Sequence, residues 1–260
     1  MEKKVAPPPA PLEYNNMADI SGVILPSLAL TLGVTTSVYF FAWWVRHKDG
    51  RHTYSLLSWA FALFLLFWFQ IPAILARLGE GITVTDFNLF FTLTFPITFL
   101  ALLLVYIGIL QISGIELGKK QKIALSVWFL SAVAFFVYHF ILNKGIIQAY
   151  LLPLGGNILF YAVIRILIIL TVIRLLSRAE MKTAYGFVGA GAIVVEGILG
   201  LARNFFIIKQ VLIYPPQFWY LQIAQSQFFF VTQTVSIILL VIGFYFLHLL
   251  YHRRLYGKKP

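Results

Sequence analysis

The sequence contains no cysteine and few charged side chains. Without cysteine, disulfides, thiolate catalysis and cysteine-ligated metal sites are excluded. Charged residues make up 11% of the chain, whereas a soluble domain has about 25%. Hydrophobic residues make up 60%, and several apolar runs reach the ~20 residues that a helix needs to cross a bilayer. This composition predicts an all-α, polytopic integral membrane protein whose first partner is the lipid bilayer.

The apolar runs predict seven transmembrane helices, which would form one bundle over residues 20–252. A polar, proline-containing tail at 1–19 is expected to be disordered, and a basic tail follows at 253–260. The predicted spans are 20–45, 53–78, 88–114, 123–142, 151–176, 184–208 and 223–251.

Acidic residues are also scarce, with nine Asp and Glu against 20 Lys and Arg. A net charge of +11 would suggest nucleic acid as the partner of a soluble protein, but here the basic residues lie in loops. Thirteen Lys and Arg fall on one side of the predicted spans and five on the other. Because basic residues accumulate in cytoplasmic loops, we expect an outside N-terminus, a cytoplasmic C-terminus and no nucleic-acid partner. The expected location is a prokaryotic cytoplasmic membrane.

Short sequence matches between the two halves suggest an internal repeat. Leu75-Ala76-Arg77 recurs as Leu201-Ala202-Arg203, and Gly118-Lys119-Lys120 recurs as Gly257-Lys258-Lys259. Three helices, one linking helix and three further helices would form a parallel 3+1+3 repeat, with its pseudo-axis along the membrane normal.

Three charged residues interrupt the apolar runs, two of them near the middle of a run and the third two turns later. Glu196 and Arg203 lie in the sixth predicted span, and Arg165 lies in the fifth. A charge at bilayer depth costs roughly 2.5–3.5 kcal/mol on insertion scales, so it is expected to be paired or to face a cavity. An antiparallel hairpin of these spans would place Arg165 level with Glu196, and Asn157 level with Arg203. Tyr161 and Asn157 share the face of Arg165, because four residues complete about one helical turn.

Other polar residues concentrate in the half of the predicted bundle that would face outside. The helical spacing of these polar residues and their similar depth in the membrane predict one outward-facing pocket. The inner halves of the spans are mostly aliphatic residues or Phe. Ordinary hydrogen bonding between helices would explain the same polar residues. The candidate ligand-binding residues are Arg203, Arg165, Glu196, Asn157, Tyr161, Gln233 and Thr94, with apolar walls from Phe91, Phe95 and Phe229.

Histidine offers a weaker signal near the predicted inner ends. His248 and His252 are four residues apart, and His47 and His52 lie in the first basic loop. Such spacing can chelate a metal, but Asp49 is the single acid nearby. We therefore expect solvated interfacial histidines, no metal site and no cofactor.

The layout resembles the seven-helix sensory regions of bacterial membrane signalling proteins. The resemblance is carried by the aromatic end of the first span, Phe41-Ala42-Trp43-Trp44, by the short basic loop after it and by the Leu-, Phe- and Trp-rich second span. Retinal proteins share the predicted topology but need a lysine in the seventh helix, and 223–251 contains none. The resemblance implies a sensor that signals through a partner.

Three classes of function follow from these features. The first is a non-enzymatic, receptor-type membrane protein that binds a small or lipid-like ligand and signals to a cytoplasmic or membrane partner. The alternative is a small-solute transporter that uses the Arg165/Glu196 pair at the midplane. The second alternative is a membrane-embedded enzyme, although the spans show no carboxylate pair or nucleophile–base arrangement. Association into a homo-oligomer is left open.

Overall fold

The computed structural model describes residues 16–47, 53–67, 84–142, 153–178, 181–215, 223 and 226–256, and these parts are helical with short connections. Residues 1–15 of the predicted tail and the end of the second predicted span, 68–78, lie outside the described residues. The helices are α1 (Asn16–Arg46), α2 (Thr53–Phe67), α3 (Val84–Ile112), α4 (Lys119–Leu142), α5 (Pro153–Leu176), α6 (Ala184–Ile213) and α7 (Gln227–Tyr256).

Six of these helices are long and apolar enough to cross a membrane, and α2 is a shorter apolar helix. The architecture is therefore an all-helical one that suits a polytopic membrane protein. Several helices exceed the predicted spans: α1 begins one turn before residue 20, and α6 continues to Ile213. Hydropathy marks only the part of a helix that is apolar, whereas the backbone hydrogen bonds continue into the polar flanks.

Six helices form a ring in the order α1, α2, α3, α5, α6, α7, and α7 closes the ring on α1. Helix α4 packs mainly on the outside of α3, so most of its apolar surface is exposed. In a bilayer this surface would face lipid. The helix that links the two halves of the chain is thus peripheral to the ring.

One end of the ring carries the basic connections, and we call it the basic end. There α1 ends at Arg46, α4 begins at Lys119 and α5 leads into the exposed Arg178. The Arg178 Nη1 donates a hydrogen bond of 2.9 Å to the Ser113 carbonyl, which ties the end of α3 to the connection between α5 and α6. Helix α6 then begins after Thr183, whose hydroxyl accepts the Gly186 N–H, a common N-cap.

The core toward the basic end is filled by aromatic rings. The Trp59 indole of α2 stacks on Phe244 of α7, with 4.4 Å between ring centroids, and Phe40 of α1 packs against both. All three side chains are fully buried. Gly108 of α3 lies directly beneath the indole, where a Cβ would overlap it. Packed aromatic side chains therefore close this half of the ring of helices.

Candidate functional site

Arg165 of α5 and Glu196 of α6 form a buried ion pair. The Arg165 Nη1 donates a hydrogen bond of 2.7 Å to the Glu196 Oε1. Relative exposure is 5% for Arg165 and 2% for Glu196. The pair forms because α5 and α6 run antiparallel from a short connection, which brings the two positions to the same level. The predicted pairing is confirmed.

Gly200 makes room for the Arg165 guanidinium. It lies four residues after Glu196 on α6, and a Cβ at this position would overlap the guanidinium Nη1 and Cζ atoms. Side chains of a helix lean toward its N-terminus, so Arg165 reaches from α5 toward the level of Gly200. A side chain here would displace the group that pairs with Glu196.

Arg203 approaches the same carboxylate oxygen as Arg165. Its Nη2 lies 3.7 Å from the Glu196 Oε1, which is ion-pair range but too long for a hydrogen bond. Arg203 is itself buried, with 9% exposure. Two guanidinium groups therefore share one carboxylate, and the cluster Arg165–Glu196–Arg203 carries an excess positive charge. We call these three residues the charge cluster.

The start of α5 is a π-helical segment, Gly156–Ala162, before the α-helical part Val163–Leu176. The spacing of Asn157, Tyr161 and Arg165 predicted a regular α-helix here. The departure coincides with aromatic rings that pack against the two glycines before Asn157. A Cβ at Gly155 would overlap Phe135, and one at Gly156 would overlap Phe95. These contacts come from α3 and α4 and are invisible in the local sequence.

Asn157 and Tyr161 both bind backbone carbonyl groups. The Asn157 Nδ2 donates to the Pro153 carbonyl at 2.7 Å, within the irregular turn. The Tyr161 hydroxyl donates to the Phe95 carbonyl of α3 at 2.9 Å, beside Pro96. The two residues thus have structural partners, and the Asn157 Oδ1 stays buried without a hydrogen-bond partner in the described structure.

Asn204 is a further buried polar residue near the charge cluster in helix register, and it was not predicted from the sequence. Its side chain is buried, and its Nδ2 has no hydrogen-bond partner among the described residues. The Arg165 Nε is also buried without a hydrogen-bond partner among the described residues. Asn204 lies four residues after Gly200 and eight after Glu196, so helical spacing from the acid could have identified it.

Four further predicted residues are buried, namely Thr94, Gln233, Phe95 and Phe229. Thr94 lies on α3 and Gln233 on α7, and no hydrogen bond or ion pair of the described structure joins Gln233 to the three charges. Phe95 packs on Tyr161 with 5.2 Å between ring centroids, while Phe229 belongs to a second apolar cluster with Val211. The side chain of Phe91 lies outside the described part. The structure thus brings Arg165, Glu196 and Arg203 together and leaves the single predicted pocket untested.

Three histidines at the basic end, His47, His248 and His252, pack against a tryptophan, and the expectation of solvated histidines is wrong for His248. His52 and Asp49 lie outside the described residues. Trp43 stacks on His47 with 3.8 Å between ring centroids, and it meets His248 at 4.5 Å and His252 at 5.0 Å. His248 is buried because α1 lies directly against α7. In the searched parts of the chain, no group of three His, Asp or Glu is placed to hold a metal ion.

The charge cluster can attract an anion and orient it by hydrogen bonds, since it combines excess positive charge with unpartnered donors.

Among protein-family models, curated proteins and solved structures, none matches the chain.

Proposed function

We propose that the chain is a non-enzymatic, receptor-type membrane protein that binds a small or lipid-like ligand in the outer half of a seven-helix bundle. The proposal rests on the charge cluster. A charge inside a membrane is costly and is usually kept for function, and here three buried charges meet between α5 and α6. A structural pair needs one arginine, so the second one favours a ligand site.

The proposed topology has seven spans, with the N-terminus outside and the C-terminus in the cytoplasm. It is supported by the exposed basic residues at the basic end, among them Arg46, Lys119, Arg174 and Lys182. Such residues favour the cytoplasmic side. We place the protein in a prokaryotic cytoplasmic membrane, where its binding site would open outward and its basic end would meet a signalling partner.

The order of helices in the ring supports a parallel 3+1+3 repeat. A pseudo-twofold axis would exchange α1 with α5, α2 with α6 and α3 with α7. The neighbours α1–α2, α2–α3 and α3–α5 would then become α5–α6, α6–α7 and α7–α1, and all six pairs pack together. Helix α4 lies outside this scheme, as a linking helix would.

The alternative function is a small-solute transporter that uses the Arg165/Glu196 pair. Repeated halves and a charge pair within the bundle favour it. A transporter also needs access from the cytoplasm, and the stacked Trp59 and Phe244 rings occupy that half. A membrane-embedded enzyme is the second alternative, and Glu196 would be its one acid in the described parts of α5 and α6.

Single cysteines test the receptor against the transporter, because the chain has none of its own. Cysteines at Asn157 and Gln233 should react with a membrane-impermeant thiol reagent added outside. Because both wild-type side chains are buried, this reaction would report that the binding site opens to the outside. Cysteines at Val241 and Ile107, in the basic half, should stay unreactive from both sides. Strong labelling of these two positions from the cytoplasm would favour the transporter.

The orientation is tested separately. A C-terminal reporter that fluoresces only in the cytoplasm should be bright, and an N-terminal tag should be labelled from outside. The reverse pattern would contradict the outward-facing site.

A further inference from the structure

We infer that the charge cluster binds a singly charged oxyanion, such as a carboxylate, a sulfate ester or a phosphodiester, on Arg203 and the Asn204 amide. The inference rests on the proposed function, since it names the ligand class of the same site. The charge balance, the unpartnered donors and the shape of the site support it.

The charge balance leaves one positive charge to be neutralised. Glu196 is the single acidic side chain in the described parts of α5 and α6, and its carboxylate faces both guanidinium groups. Arg165 takes the direct hydrogen bond, whereas Arg203 stays 3.7 Å away. A monoanion at Arg203 would neutralise the cluster. A dianion would leave an excess negative charge in a low-dielectric site, which is costly.

Two unpartnered donors accompany this charge, and the Asn157 Oδ1 on α5 is an unpartnered acceptor in the described structure. The Arg165 Nε and the Asn204 Nδ2 are buried and have no hydrogen-bond partner among the described residues. A buried donor without a partner costs about 1–3 kcal/mol, so an acceptor at this place would be stabilising. Carboxylate, sulfate and phosphate oxygens accept several N–H groups at once, and arginine binds them with a planar fork.

Helical spacing places the donor residues of α6 one turn beyond Gly200, the glycine that the Arg165 guanidinium covers. The Arg165 guanidinium lies over Gly200, and Asn204 and Arg203 follow this residue on the same helix face, one turn toward the outer end. On its other side α6 exposes Ile198 and Phe205, which would contact lipid. An anion at Arg203 could therefore belong to a lipid headgroup or to a free solute, and the shared chemistry is the single negative charge on oxygen.

Thermal unfolding of the purified full-length chain in a neutral detergent measures this preference. The probes are decanoate, decanol and decylammonium, which share a chain and differ in charge. Decanoate should raise the melting temperature saturably, and the neutral and cationic probes should not. Acetate tests for a free solute, and nanodiscs of phosphatidylglycerol against phosphatidylcholine test for a lipid headgroup. A response in either arm supports the oxyanion and identifies its source.

Matched variants connect the response to the cluster. Arg203→Gln should weaken decanoate binding by about tenfold or more, since one charge-assisted hydrogen bond is lost. Lys209→Gln, which removes an exposed cation from the same helix, should leave it unchanged. Glu196→Gln should strengthen it, because the carboxylate no longer competes for the guanidinium groups. If Arg203→Gln does not fold, Arg203→Lys should bind more weakly than the wild type, because its ammonium lacks the planar fork.

Three outcomes would overturn the inference. If decanol stabilises the protein as well as decanoate does, the ligand pocket stands and the oxyanion class is wrong. If Arg203→Gln or Arg203→Lys responds like the wild type, the anion binds elsewhere. If none of the probes, acetate or phosphatidylglycerol changes the melting temperature, both this inference and the proposed ligand-binding function are wrong.

Discussion

One oxygen atom of Glu196, Oε1, interacts with both Arg165 and Arg203. Such an arrangement is stable only while all its members are present, because removal of one partner leaves a buried charge without compensation. The Arg165 hydrogen bond is short and the Arg203 contact is long, so the three residues contribute unequally. Their individual substitutions should therefore have different effects.

Glu196→Gln should destabilise the protein by about 3–5 kcal/mol, the usual cost of breaking a buried pair. Unfolding of the wild type and variant in mixed micelles measures the difference. The exchange Arg165→Glu with Glu196→Arg should recover part of the loss, although the new arginine would lie on the same helix as Arg203. A double variant no more stable than either single variant would show that the pair does not hold α5 and α6 together.

Gly200→Ala should destabilise the protein by about 1–3 kcal/mol, since a Cβ there overlaps the Arg165 guanidinium and overpacking has this cost. Gly191→Ala on the same helix is the control, because nothing lies within 4 Å of its added Cβ. The control should be neutral or stabilising by up to about 1 kcal/mol, given the better helix propensity of alanine. Equal effects in the unfolding assay would contradict the close contact at Gly200.

At the scale of the element, α5 is the helix that departs most from regularity. A π-helical segment replaces the i→i+4 hydrogen bonds by i→i+5 bonds and is rare, but it recurs at functional sites. Here the Asn157 amide binds the Pro153 carbonyl, which lies just before the segment, and the Tyr161 hydroxyl ties the segment to α3. The segment leads directly into the turn that carries Arg165, so its geometry helps to set where the guanidinium lies.

Tyr161→Phe should lower the free energy of unfolding by about 0.5–1.5 kcal/mol, the net contribution of one hydrogen bond. The lost contact is the one from its hydroxyl to the Phe95 carbonyl. Tyr138→Phe is the control, since Tyr138 is largely exposed on α4, and it should have little effect. A Tyr161→Phe protein as stable as the control would mean that this bond does not support the segment.

The sequence predicted the Arg165–Glu196 pair, but it predicted neither the approach of Arg203 to the same carboxylate nor the shape of α5. The level of Arg165 with Glu196 follows from helix rise and a short connection, which are local properties. The start of the π-helical segment packs against Phe95 and Phe135, which approach Gly155 and Gly156 from other helices. The burial of His248 likewise depends on Trp43, far away in the chain. Helix existence and register were predictable, whereas contacts between distant helices were not.

At the scale of the whole molecule, the ring has two different halves. Toward the basic end, the ring of helices is filled by aromatic side chains from α1, α2 and α7, with Trp59 at the centre. The half above it holds the charge cluster and the unpartnered donors of α5 and α6. The aromatic half is expected to act as the barrier between that site and the basic end.

Trp59→Ala should open this barrier. A cysteine at Val241, one turn before Phe244, should then react with a thiol reagent added from the basic side, whereas it stays unreactive while Trp59 is present. Phe61→Ala on the same helix is the control, because Phe61 is half exposed and faces away from the ring. Equal labelling in the two variants would show that Trp59 does not close the bundle.

Because α4 lies outside the ring of helices, the chain should be divisible into two polypeptides that still assemble. Each half of the chain supplies three neighbouring helices of the ring, and the covalent link between the halves runs over the outside through a helix that packs mainly on α3. Ring closure therefore depends on the two interfaces α3–α5 and α7–α1 rather than on chain continuity. Two polypeptides, 1–115 and 116–260, should assemble in one membrane when they are produced together, and co-purification of a tagged first piece with the second would detect it. The protein would then behave as a heterodimer made from one gene, in which either half can be exchanged without the other.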